Sequence, residues 1–155
     1  MPSHACDPAE ALAEVSSVYR DLDQRPVDRS CIKRTECCHF RLTGKTPLLT
    51  LGEALVMAQG VRAAGSKKLV ENTDGTCPLL ASDGKCRVYS HRPFGCRTHF
   101  CSAAGGPYAR KEVLDLIRRL EVVDDKLGGQ GPRALPDAVG EALKRWTGDQ
   151  LKALQ

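Results

Sequence analysis

The chain has 155 residues, eight cysteines and a formal charge of +4. That length buries a core without covalent staples and fits one domain, residues 1–155. The weak basic balance argues against a nucleic-acid partner. No run nears 18 apolar residues, so no membrane span is expected, and the N-terminal MPSHACDPAEALAEV shows no basic-then-apolar signal pattern, so a cytoplasmic, thiol-reducing setting is expected.

Residues 8–22 read as a helix, with Pro8 suited to the first turn and Leu12, Val15, Tyr19 and Leu22 at helical spacing. A loop around Pro26 leads into CIKRTECCHF, which holds Cys31, Cys37 and Cys38. Thr50, followed three residues later by Glu53, forms a capping box that opens a second helix. Leu51, Leu55, Ala58 and Val61 give it a buried face, and Gly65 stops it. Residues 66–71 add a short helical piece, and Asn72 to Gly75 make a turn.

Residues 77–101 read CPLLASDGKCRVYSHRPFGCRTHFC and carry Cys77, Cys86, Cys96 and Cys101. No long helical pattern fits them. Asp83-Gly84, flanked by LLA and CRVY, signals a short β-hairpin. Residues 108–127 form a helix with Val113, Leu116, Ile117, Leu120 and Val123 on one stripe and charges opposite. A glycine- and proline-rich loop follows. A last helix spans 137–154, with Val139, Leu143 and Trp146 on one face. The expected fold is mostly α: a small helical domain with a short hairpin and irregular cysteine-rich loops around a metal centre. Its core is about 31–101, flanked by helices 8–22, 108–127 and 137–154.

Eight cysteines in a reducing compartment favour metal binding or redox chemistry over disulfides. A structural zinc takes four ligands, commonly as paired C-x2-C knuckles, and the chain contains no C-x-x-C. Two thiolates on one zinc lie about 4 Å apart. In a regular hairpin turning at Asp83-Gly84, Ala81 opposes Cys86, and Cys77 falls about 13 Å further along the same face. A regular hairpin therefore cannot bring both thiols to one ion, unless Pro78 bends the chain. Adjacent Cys37 and Cys38 diverge in either a strand or a helix. One of them packs, or each binds a different metal atom of a cluster. Arg92 and Arg97 suit charge balance beside a thiolate-rich centre. Tyr89 is expected to pack and His91 to be exposed. His99 is a candidate ligand or outer donor.

These motifs resemble the YkgJ-type cysteine-cluster family, a zinc- or iron-chelating domain with the signature CxxCxxCC. The matching residues are Cys31, Cys37 and Cys38, the Thr50–Glu53 helix start, Cys77-Pro78-Leu79, Cys86-Arg87-Val88-Tyr89, Arg92-Pro93 and Cys96-Arg97, with Cys101 after them. The second cysteine of the signature falls on Arg34, for which His39 or Cys6 is a candidate replacement. The resemblance implies metal binding through Cys31, Cys37, Cys38, Cys77, Cys86, Cys96 and Cys101.

Seven thiols exceed the needs of one zinc, which favours an iron–sulfur cluster, with zinc as the alternative. A related cysteine cluster in flagellin lysine N-methylases keeps a metal-dependent enzyme, acting on a peptide or small molecule, as a second reading. The third is a zinc-stabilised interaction module; a continuous basic face would extend it to nucleic acid, which +4 alone does not, and a protein or peptide is the other partner expected. No Ser/His/Asp arrangement or GxGxxG stands out, and no catalytic residue is assigned.

Overall fold

The computed structural model describes residues 7–25, 46–98, 108–146 and 148–153. Six α-helices lie among them: α1 (Pro8–Asp23), α2 (Leu51–Ala63), α3 (Phe94–Thr98), α4 (Leu114–Lys126), α5 (Leu135–Arg145) and α6 (Gly148–Ala153). Two-residue strands β1 (Leu48–Leu49) and β2 (Arg133–Ala134) pair antiparallel, Leu48 with Ala134 and Leu49 with Arg133.

Helix α2 is the centre of the fold. Eight of its residues from Gly52 to Val61 besides the acid Glu53 are buried, so it is apolar nearly all round. It packs against α1, α4, α5 and α6, which is how a helix with no solvent face is accommodated. Two glycines permit the closest approaches. A methyl group on Gly52 would lie 2.8 Å from Val123 and 2.9 Å from Val15, and one on Gly60 would lie 2.7 Å from the His91 ring. Thr50 caps α2, and Gly65 ends the segment at φ +89°. Leu55, Ala58 and Val61 are buried as the spacing predicts, while Leu51 is only half-buried.

Helix α1 opens with the Asp7 side chain accepting from the Ala9 amide at 3.0 Å. Its buried face includes Leu12, Val15, Val18, Tyr19 and Leu22. Helix α4 lies along α1, and Arg119 donates to Glu14 at 2.8 Å, to Ser17 at 3.1 Å and to Asp21. The predicted stripe holds, with Val113, Leu116, Leu120 and Val123 buried and Ile117 partly so. The helix is shorter than the expected 108–127, because Arg110–Glu112 form a separate 3-10 turn.

Three further expectations are corrected. Asp124 is buried, not on the charged face: its carboxylate accepts from the Leu51 amide at 2.8 Å and the Gly131 amide at 2.9 Å. It thereby satisfies an orphan donor at the start of α2. Residues 66–71 are not helical. The last helix begins two residues early, at Leu135, and breaks at Trp146, whose backbone is extended (φ −115°, ψ 128°) before α6.

Candidate metal centre

Three of the seven predicted ligands, Cys77, Cys86 and Cys96, fall on described residues. Cys31, Cys37, Cys38 and Cys101 lie outside them, as do Cys6, Arg34, His39 and His99.

Cys77 is buried at a tight turn. Its carbonyl accepts from the Leu80 amide at 3.0 Å, with Pro78 at the position whose fixed φ favours such a turn. The side chain of Asn72 holds the same carbonyl at 2.8 Å and the Thr76 hydroxyl at 3.0 Å. Thr76 in turn donates to Asp74 at 2.7 Å. The Asn72–Gly75 turn read from sequence is thus the brace for Cys77; Gly75 sits at φ +76° and donates to the Asn72 carbonyl at 3.1 Å.

Cys86 is half-buried on the returning limb of the loop. The Asp83-Gly84 turn is present, but the register differs from the expected one. The Gly84 amide donates to the Ala81 carbonyl at 3.0 Å, Gly84 adopts φ +81°, and the Ala81 amide donates to Lys85 at 2.9 Å. That is a three-residue loop with a left-handed glycine, not a two-residue turn. The extra loop residue moves the pairing by one, so Leu80, not Ala81, opposes Cys86 across a single antiparallel bridge. The ladder ends at the Cys77 turn. The bend at Pro78 therefore removes the extended geometry that separates Cys77 from Cys86 in a regular hairpin.

Cys96 lies in α3, one turn past the Arg92-Pro93 pair, and its amide donates to the Pro93 carbonyl at 3.0 Å. Arg97 fixes this corner. Its Nε donates to the Arg92 carbonyl at 2.7 Å, and its terminal nitrogen to the Ser90 carbonyl at 2.8 Å. Its guanidinium stacks 4.1 Å from the centre of the Tyr19 ring. Arg97 is half-buried, so bulk solvation does not describe it. Burial lowers its pKa from the ordinary value, a shift opposed by Tyr19, Asp23 and Cys96. Arg92 stacks 3.8 Å over Tyr89, which is exposed where packing was expected. His91 is half-buried on Gly60 where exposure was expected, and burial followed by the Arg97 charge lowers its pKa.

Beneath this corner sits Glu53, only 3% exposed. Its Oε2 accepts from the Thr50 amide at 3.0 Å, as the capping box predicts, and from the Thr50 hydroxyl at 3.1 Å. Its Oε1 reaches elsewhere, accepting from the Phe94 amide at 2.7 Å and the Tyr19 hydroxyl at 3.3 Å. One carboxyl thus ties α1, α2 and the start of α3. Burial raises its pKa, and the hydrogen bonds oppose the rise. Burial, then the neighbouring Glu53, pushes the Tyr19 phenol well above its ordinary value. The sequence flags Glu53 only as a cap, and Tyr19 only as a core residue.

Soft thiolates are suitable donors for zinc or iron. Among the described residues no three His, Cys, Asp or Glu side chains are placed to hold a metal ion. The three described thiols are also fewer than the four that a closed thiolate site uses. The donor type fits a metal, and the described residues alone do not make up a complete ligand set. No helix among the described residues is long and apolar enough to cross a membrane.

The described thiols Cys77 and Cys96 are thus presented from braced turns on a helical frame. Residues 30–118 match the family model CxxCxxCC, described as a "putative zinc- or iron-chelating domain", and the chain belongs to that family. No curated protein and no solved structure matches the chain.

Proposed function

We propose that the chain holds an iron–sulfur cluster through thiolates drawn from Cys31, Cys37, Cys38, Cys77, Cys86, Cys96 and Cys101. The observation that carries this reading is the bracing of Cys77 and Cys96. Asn72 fixes the turn at Cys77, and Arg97 fixes the corner that presents Cys96. Such preorganisation lowers the ordering cost of binding a metal. Seven motif thiols exceed the demand of one zinc, and an adjacent pair such as Cys37-Cys38 serves two metal atoms more easily than one. The cationic Arg97 beside Cys96 suits the negative charge of a multi-thiolate centre.

Anaerobic purification followed by visible absorption, with iron, acid-labile sulfide and zinc assays, tests the reading. Iron and sulfide in matching amounts with a visible charge-transfer band are expected. A colourless protein with stoichiometric zinc and no sulfide would refute the cluster and leave the thiolate assignment standing.

A further inference from the structure

We propose that Tyr19, from a helix outside the family-matched segment, is a positioning residue for the metal centre, seating the Arg97 guanidinium beside Cys96. The inference rests on the reading of Cys96 as a ligand. The family match begins at residue 30, whereas Tyr19 lies in α1 (Pro8–Asp23). Its ring is buried and lies 4.1 Å under the guanidinium carbon of Arg97. Its hydroxyl is anchored on Glu53 at 3.3 Å, and Glu53 also holds the Phe94 amide at the start of the helix that carries Cys96. Arg97 spends two donors on the Ser90 and Arg92 carbonyls, which orients its plane. Cys96 immediately precedes Arg97 in that helix.

The arrangement has a direct consequence for metal retention. Each thiolate bound to a divalent ion adds negative charge, and a fixed, half-buried guanidinium beside one of them stabilises the loaded state. The face of Tyr19 keeps that guanidinium from swinging into water. Docking of α1 and holding of the metal are therefore coupled through a single stacked pair.

The test is the rate at which the anaerobically purified, cluster-loaded full chain loses iron to a chelator, read at the visible charge-transfer band, for Tyr19→Leu, Tyr19→Phe, Arg97→Leu and the Tyr19→Leu/Arg97→Leu double variant. Tyr19→Leu removes the π face and keeps apolar bulk. It should speed the loss of iron about tenfold, the scale of one desolvated cation–π contact. Tyr19→Phe restores the face without the hydroxyl and should recover most of that retention. The double variant should lose iron no faster than Arg97→Leu alone, because Tyr19 acts through Arg97. A merely structural Tyr19 would lower the unfolding midpoint without this non-additivity. Parent-like retention in Tyr19→Leu, or effects that multiply in the double variant, would overturn the proposal. Cys96→Ala separates the two levels. If it lacks iron and sulfide while Tyr19→Leu retains them as the parent does, only the positioning role falls. If Cys96→Ala holds iron and sulfide as the parent does, the ligand assignment at Cys96 falls and the positioning role with it.

Discussion

Glu53→Ala should be among the most damaging single substitutions outside the cysteines. The parent carboxyl accepts from two backbone amides, Thr50 at 3.0 Å and Phe94 at 2.7 Å, and both residues are buried. A buried donor left without an acceptor costs about 1–3 kcal/mol. Two such donors, less the relief of no longer burying a carboxyl, give a net loss of about 2–4 kcal/mol. For a chain of this size that corresponds to a drop of about 4–16 °C in unfolding midpoint. The measurement is thermal and urea unfolding at fixed, saturating metal, so that ligand linkage is held constant. Glu53→Gln serves as the control. It can keep an acceptor at the Oε1 position for Phe94 and Tyr19 while placing an amide nitrogen against Thr50, and should cost about 1 kcal/mol. A Glu53→Ala protein within about 0.5 kcal/mol of the parent would show that the carboxyl is not the tie between α1, α2 and α3.

Further outcomes follow from the same contacts. Asp124→Ala removes the acceptor of the half-buried Leu51 and Gly131 amides and should destabilise by about 1–2 kcal/mol in urea unfolding, whereas an effect below about 0.5 kcal/mol would contradict its capping role. Glu53 titrates higher in the folded chain than its ordinary value of 4.5, so its share of stability is complete below that value and is lost as pH rises through the folded pKa. The stability difference between the parent and Glu53→Gln should therefore move in favour of the variant as pH rises above about 4.5, and a flat difference would refute the shift. Metal-bound thiolates should also leave the cysteines reduced. Anaerobic denaturation with chelator should release close to eight titratable thiols, and two or more oxidised pairs would contradict this.

The helical frame was legible because its signals are local. The Thr50–Glu53 box and the stripes of α1 and α4 depend on residues three or four apart, and all three stand as expected. What was missed depends on residues far apart in sequence. Asp124 looks like one more charge on a helix surface until Leu51, 73 residues away, supplies its donor. Glu53 shows its cap in sequence, but its contacts with Phe94 and Tyr19 come only with tertiary packing. The residues 141–145 just before the break at Trp146 include no proline or glycine, so the period continues on paper through 154. The Asp83-Gly84 turn was visible, and only its loop length was wrong by one residue, which shifted the partner of Cys86 from Ala81 to Leu80. For the centre, the order of cysteines carried the family and the Asn72–Gly75 turn was legible, whereas the Asn72 bond to the Cys77 carbonyl and the Arg97 bonds to Ser90 and Arg92 come only with folding.

The central claim is that cysteines of both segments, 31–38 and 77–101, hold one metal centre. Its most direct test is metal content per chain, measured anaerobically for the parent, Cys31→Ala and Cys96→Ala, alongside the unfolding midpoint. A site that closes loops of this length couples metal binding to folding. Each variant should therefore lose metal and melt at a lower temperature than the parent. Full metal occupancy with an unchanged midpoint in both variants would contradict the two-segment centre.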